Sequence, residues 1–401
     1  MPKGIRYYGF LDATGYGLAA IAYVRALANA GVPVQWIPLG PMHRDAIPQA
    51  LPDAAESVLA RSSIDDVALA DLPSLLQRTS GPVGHDIVLC HSPPEYWPHL
   101  FEPGKRNVGY TVWEADRPPP HWVPIFNRAN RILVPCRLNR DAFVAAGTRV
   151  PVRVVPHIRR HVWNTFTPEE RTAARSRFGI PKNHFIFYSI GEWHPRKALG
   201  LLIETYTRAF TSAEPVTLIL KTSEFGHGTP PLYPREATSE LARMTIERCA
   251  MAFGQGLPNL CLLPVDDLSG CEIDLLHELG DCYVSLAHGE GWALGAFDAA
   301  TRGTPVVMTG WGGPLDYLGS SWSGAVPYGL GPVPILPPDR PSYFSSQRWA
   351  YPDTDAAVEI LRAAYRDGTA ARDNATAIAA DIANRYAEPV IASLLLQAID
   401  D

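Results

Sequence analysis

The sequence predicts an α/β fold made of two doubly wound domains, and three observations lead there. First, 401 residues are too many for one ordinary hydrophobic core. Second, short β-branched apolar runs alternate with Ala- and Leu-rich segments at helical spacing, the pattern of a parallel sheet covered on both faces. Third, the series runs twice, with a break near Ile158–Thr167, and ends in a stretch, Asp355–Ile399, that is nearly all helical. The expected divisions are 1–160, 161–375 and a terminal helix, 376–401, that packs back on the first domain.

Taken in order, Ile5–Leu11 reads as a strand. Thr14-Gly15-Tyr16-Gly17 then opens a helix over Leu18–Ala30, with Gly31 as its stop signal, and Val32–Leu39 follows as a strand. Asp86–Cys90, Asn107–Val112, Arg131–Pro135 and Val152–Val155 continue the first sheet. In the second series, strands fall at Phe185–Ile190, Val216–Lys221, Leu260–Leu263, Cys282–Leu286 and Pro305–Met308. Helices fall at Ala198–Phe210 and Gly291–Arg302. In doubly wound sheets, ligands meet the C-terminal ends of the strands. The motifs that carry chemistry all follow predicted strands, which places them in a cleft expected between the two domains.

Composition excludes several classes. Hydrophobic residues at 46% and charged ones at 19% exclude wholesale disorder. A net charge of -6 with no Lys/Arg run gives no nucleic-acid footprint. The six cysteines (Cys90, Cys136, Cys249, Cys261, Cys271, Cys282) are scattered and contain no C-x-x-C pair, so a structural zinc site is not expected and a reducing cytoplasm fits. No apolar run reaches the roughly 20 residues that span a bilayer. The expectation is a cytoplasmic protein with at most peripheral membrane contact; no strong amphipathic basic helix is evident, and Arg159-Arg160-His161 is a small basic spot. A homo-oligomer stays open.

The strongest constellation is Ser285-Leu286-Ala287-His288-Gly289-Glu290-Gly291-Trp292-Ala293-Leu294-Gly295-Ala296-Phe297-Asp298, followed by Gly303-Thr304-Pro305-Val306-Val307. Glycines frame Glu290, so its backbone can approach a ligand closely. Gly291, Trp292, Ala293 and Leu294 are expected to form a first helical turn whose free amides and dipole favour a diphosphate. Asp298, eight residues after Glu290, is expected on the same helix face. The two carboxylates would accept hydrogen bonds from sugar and ribose hydroxyls. A second element, Gly191-Glu192-Trp193-His194-Pro195-Arg196-Lys197, sets two cations after a strand, suited to a leaving diphosphate.

These motifs resemble those of the retaining glycosyltransferases of family 4 (glycosyl transferases group 1) on the GT-B fold. That signature is Glu, seven residues, Glu, then a Gly-Thr-Pro-Val-Val strand. Here the second acid is Asp298, one methylene shorter. Lys197 matches the family lysine six residues after a glycine, and Arg196 stands in for the arginine that Glu192 replaces. The Gly312-Gly313-Pro314-Leu315-Asp316 loop and Thr14–Gly17 match the family's glycine loops, and Val265 with Asp266 follows the strand where the nucleobase sits.

The resemblance implies a GT-B architecture of two Rossmann-like domains facing across a cleft, the first binding acceptor and the second binding nucleotide sugar. It implies transfer of a hexose from a UDP- or GDP-sugar to a glycan or lipid-linked saccharide by front-face attack, in polysaccharide biosynthesis. No cofactor and no metal are expected. Glu290, Lys197, Arg196 and Glu114 are the catalytic candidates. Gly15, Gly17, Gly291, Trp292, Ala293, Leu294, Asp298 and Val265 are the donor-binding ones. Trp113-Glu114-Ala115-Asp116 follows Asn107–Val112 where many members place a histidine; Trp113 is expected to stack on a sugar ring, Asp116 to bind acceptor hydroxyls, and His91 to offer a cleft histidine instead. His157 and His194 read as structural.

Two other readings compete. Gly15, Gly17 and Ala20 spell a weak dinucleotide fingerprint for an NAD-dependent oxidoreductase. Its confirming acid should fall near Gln35-Trp36, and neither is acidic. A non-catalytic nucleotide-sugar-binding protein would keep the fold and lose the phosphate grip.

Overall fold

The computed structural model describes residues 2–40, 67–226, 237–253, 256–266, 268–334 and 342–400. The chain forms two compact units. Unit 1 comprises Met1–Val162 and Ile382–Asp401, and unit 2 comprises Trp163–Asp381.

Unit 1 contains β1 (Ile5–Phe10), β2 (Val34–Leu39), β3 (Ile87–His91), β4 (Arg106–Tyr110), β5 (Arg131–Val134) and β6 (Val152–Val154). They form one parallel sheet in the order β2-β1-β3-β4-β5-β6. β3 and β5 are buried along their whole length, as a sheet covered on both faces requires. The first helix spans Gly15–Asn29, with Thr14 as its N-cap accepting from the Gly17 N–H. Gly15 and Gly17 therefore lie inside the first helical turn, not in a loop before it. The final helix, Glu388–Asp400, belongs to unit 1. Its Ile399 carbonyl accepts from Arg106 Nη1 at 2.8 Å, and Asn29 donates to Glu388 at 2.8 Å.

Unit 2 contains β7 (Phe185–Ile190), β8 (Val216–Thr222), β9 (Asn259–Pro264), β10 (Cys282–Ser285), β11 (Val306–Thr309) and β12 (Ala325–Val326). These run parallel in the order β12-β11-β10-β7-β8-β9. A hairpin-like pair, β13 (Tyr328–Pro332) and β14 (Arg348–Pro352), is antiparallel. Its core gathers Phe187, Leu202, Tyr206, Leu218, Val284 and Val307 between the sheet and the helices Leu199–Ala209 and Thr354–Arg366. The helix Pro168–Arg177 opens on a capping box. Thr167 Oγ1 accepts from the Glu170 N–H at 3.2 Å, and Glu170 accepts from the Thr167 N–H at 2.7 Å.

In both sheets the connection reverses direction at the first strand, between β1 and β3 and between β7 and β10. Such switch points leave a crevice at the carboxyl ends of the two strands.

Candidate functional site

In unit 2 the switch point holds the charged residues singled out from sequence. Lys197 and Arg196 arrive from β7 through the short turn Pro195–Lys197, which His194 caps by accepting the Arg196 N–H at 3.0 Å. His194 is buried and structural. The Lys197 stem passes over Gly191, where a Cβ would stand 3.8 Å from Lys197 Cδ. Glu290 arrives from β10. Its Oε1 accepts from Lys197 Nζ at 2.6 Å, and its Oε2 lies 3.3 Å from Arg196 Nη1. Arg196 also donates to the Gly289 carbonyl at 2.7 Å, and its own carbonyl accepts the His288 N–H at 2.7 Å.

Glu290 is 7% exposed. Burial alone would raise its carboxyl, but Lys197 first, then Arg196, outweigh burial and hold it below the ordinary 4.5. One carboxylate against two cations leaves a surplus positive charge.

The glycine frame has a steric cause. A Cβ on Gly313 would meet the Gly291 carbonyl oxygen at 1.9 Å, and one on Gly312 would meet the Glu290 carbonyl oxygen at 2.6 Å. The Gly313 N–H donates to that same Glu290 carbonyl at 2.9 Å. The Gly312-Gly313 loop thus clamps the backbone under Glu290.

The helix that follows starts at Leu294, three residues later than expected, and ends at Thr301. Gly291, Trp292 and Ala293 form its lead-in, and Ala293 takes a left-handed conformation with φ 63. The first helical bond runs from the Phe297 N–H to the Ala293 carbonyl, so the amides without a helical acceptor are those of Leu294, Gly295 and Ala296. The predicted anion site moves by the same step. Because Glu290 is not helical, it shares no helix face with Asp298, and the two-turn argument fails. Both acids instead raise the Tyr283 hydroxyl, after burial as the main cause, so both lie within electrostatic reach of it. Trp292 is buried against Phe297 and Tyr317, with ring centroids at 5.2 and 5.1 Å. Its side chain packs the core of the turn. Val265 is exposed, and its N–H donates to the Thr222 carbonyl.

Sequence reasoning missed three supports. Tyr283 donates to the Ile190 carbonyl and stands 2.9 Å from where a Gly295 Cβ would be, tying β7 to the helix Leu294–Thr301. Trp349 on β14 stacks parallel to His288, whose Nδ1 meets the Ala350 carbonyl at 2.8 Å. Ala198 (φ 51) and Ala293 are the left-handed non-glycine residues among those described, and they follow Lys197 and Glu290 closely. Strained backbone of this kind persists where surrounding structure imposes it. An alanine carries no sequence signal for it.

In unit 1 the structure gathers Tyr16, His91 and the Trp113–Asp116 segment at the ends of β1, β3 and β4. Tyr16 Oη meets Thr111 Oγ1 at 2.9 Å and accepts the Val112 N–H. Gly17 is required by Asp12, whose backbone oxygen would stand 2.3 Å from an added Cβ. His91 is 1% exposed, bonded through Nδ1 to Tyr7 Oη at 2.7 Å and ringed by Tyr16, Tyr23 and Tyr110. Burial, and next His157, push its pKa well below 6.5. It is a neutral core histidine, which corrects its expected place facing a cleft. Trp113 is corrected too. It is 4% exposed, packs edge-on against Trp122 at 4.8 Å and donates to the Arg117 carbonyl at 2.6 Å, so its ring has no free face for a sugar. Asn139 pins the Trp113 backbone from both sides, accepting its N–H and donating to its carbonyl. Glu114 and Asp116 remain half-buried on that pinned loop. Glu95, unremarked in sequence, accepts from His121 at 2.8 Å and Trp122 at 2.6 Å and holds the next segment.

Two parallel doubly wound units with the terminal helix returned to the first define the GT-B fold, that of nucleotide-sugar glycosyltransferases, as the motifs implied. Known structures agree across the whole chain. HepE of Anabaena, in complex with UDP and glucose, superposes with a TM-score of 0.63 at 14% identity, covering 100% of both chains. A sucrose-phosphate synthase of Thermosynechococcus elongatus gives a TM-score of 0.62 at 14% identity over 98% of each. By sequence, the chain is 30% identical over 171 residues to a D-inositol 3-phosphate glycosyltransferase of Geodermatophilus obscurus, a stretch of 42% of this chain and 35% of that protein. The match thus spans about a third of that relative's length. No family model matches the chain. Among the described residues, no helix is long and apolar enough to cross a membrane.

Proposed function

We propose that the protein is a retaining, metal-independent hexosyltransferase. It takes a hexose from a UDP- or GDP-sugar and passes it to a hydroxyl of a glycan or lipid-linked saccharide on the cytoplasmic side of a membrane. The observation that carries this reading is the switch-point cluster of unit 2. Two cations share one buried carboxylate, beside three helix amides with no helical acceptor. Such a site has surplus positive charge held in place before any ligand arrives, which is what a diphosphate leaving group needs.

In this reading Lys197, Arg196 and the amides of Leu294–Ala296 hold the diphosphate. Glu290 fixes both cations and accepts from sugar hydroxyls, and Asp298 serves the ribose. Val265 lies beside the base, and Glu114 with Asp116 binds the acceptor. The acceptor oxygen bonds to the anomeric carbon as the bond to the diphosphate oxygen breaks on the same face. The acceptor proton passes to that departing oxygen, so no enzymic nucleophile is consumed. The likeness to HepE in complex with UDP supports beginning with UDP, and the likeness to a glycosyltransferase supports sugar transfer.

A thermal-shift panel of UDP, GDP, their sugars and NADH tests the donor class, since a ligand bound to the folded state raises the midpoint. UDP or GDP should stabilise the protein, and turnover of the matching sugar should survive a chelator. A shift with NADH and none with either diphosphate would overturn the reading.

A further inference from the structure

We infer a second anion site in unit 2, at the opposite end of its sheet from the switch point. A cavity of about 640 Å³ opens at the N-terminal ends of β10 and β11, bounded by Asp281 just before β10 and by Gly303–Pro305 just before β11. One face of the helix Pro168–Arg177 lines it through Arg171, Thr172 and Arg175, at helical spacing. The helix Gly368–Arg385 adds Arg372 and Thr376 four residues apart.

The charge count decides what fits. Arg171, Arg175, Lys182, Arg302 and Arg372 face two carboxylates, Glu278 and Asp281. Three positive charges are therefore uncompensated, in a chain whose net charge is -6. The carboxylates act as anchors. Glu278 takes Arg171 at 2.8 Å and Arg302 at 2.5 Å, and Asp281 takes Arg372 at 2.7 Å while also accepting the Ile186 N–H. Trp163 covers the Arg302 guanidinium at 4.9 Å, fixing its plane. Lys182 is exposed and has no ion-pair partner among the described residues. Guanidiniums held in place by carboxylates and an aromatic face, with an exposed lysine beside them, make a receptor for phosphate oxygens. A volume in the ordinary range of small-molecule pockets takes a compact phosphorylated metabolite with two or three negative charges.

Inorganic pyrophosphate is the probe, measured by calorimetry on the Lys197→Ala protein, in which Glu290 balances Arg196 and the switch-point cluster loses its surplus positive charge. That protein should still bind one pyrophosphate. Adding Lys182→Glu and Arg372→Gln should weaken binding by about tenfold or more, a charge-assisted contact being worth about a decade. The same pair in the otherwise unaltered chain should leave the UDP thermal shift in place, and Lys182→Glu alone, at an exposed position, guards against misfolding of the pair. A hexose monophosphate competing at lower concentration than pyrophosphate would identify a phosphosugar as the ligand, and the reverse order would identify a free inorganic anion. The inference falls if Lys197→Ala binds no pyrophosphate, or if Lys182→Glu and Arg372→Gln leave its affinity unchanged. Both outcomes are independent of whether the protein transfers a sugar.

Discussion

At the strand ends of unit 1, His91 and the tyrosines around it share buried, uncharged hydrogen bonds with the buried His157 ring packed beside them, whereas at those of unit 2 Arg196, Lys197 and Glu290 keep full charges in contact. The sheets have the same kind of switch point, so topology does not make the difference. The residues that follow the strands do. In unit 1 a histidine surrounded by aromatic rings is cheaper neutral than charged. In unit 2 each charge is buried only because its partner is buried with it. One crevice is lined by neutral buried rings and the other by paired charges.

The largest effect should come from taking the charge out of unit 2. Lys197→Ala should lower kcat/KM for transfer by about 10²–10³-fold, the usual cost of one preorganised transition-state contact. The fold should survive, because Glu290 keeps Arg196. Near-normal turnover of the purified variant would remove Lys197 from the chemistry.

Breaking the same cluster from the other side should show in stability. Glu290→Ala leaves two neighbouring cations without their shared carboxylate, at a cost of about 3 kcal/mol. Denaturant unfolding of this variant beside Glu290→Gln, which keeps the shape, reads that cost. Equal and small losses in both would mean the ion pairs contribute little.

Acid should sharpen the contrast. His157 is pushed by burial to about 3, and His91 lies well below its ordinary 6.5. The unfolded chain takes up protons there that folded unit 1 refuses. Stability from this source is therefore complete above about pH 6.5 and falls as pH drops toward 3, by up to about 1.4 kcal/mol per pH unit for each histidine. The Glu290 carboxylate, held below 4.5, keeps its contribution until the pH falls under that value. His288 in unit 2 is also held down by burial, with its bond to the Ala350 carbonyl opposing. Hydrogen exchange at pH 7 and pH 5 should show β3 amides losing protection before those of β10. Loss of protection in β10 first would reverse the comparison.

The smallest effect concerns backbone strain. Ala293→Gly relieves a left-handed alanine and should raise stability by up to about 1 kcal/mol, read as a higher midpoint. A lower midpoint would show that the alanine methyl packs usefully there.

Much of this was legible in the residues themselves. Parallel strands in the core of an α/β fold must be short, apolar and bounded by turns, so Phe185–Ile190 could be read to the residue and the other strands to within a few. The Glu290 and Lys197 motifs were legible because glycine spacing and charge leave few alternatives. The helix start was not. Nothing in Gly291-Trp292-Ala293 announces a left-handed turn, nor that the Gly312-Gly313 loop packs against the Glu290–Gly291 backbone just before it.

Burial at a strand end was equally illegible. His91 and Trp113 follow strands as ligand-binding residues do, yet Tyr7 and Tyr23, far from His91 along the chain, and Trp122, in the segment after Trp113, enclose them. The order of short apolar runs and glycines determined the fold class and the location of the charged motifs, because those depend on local patterns. Which polar side chains are sealed and which stay charged was decided only by tertiary packing, because desolvation depends on neighbours that sequence separation conceals.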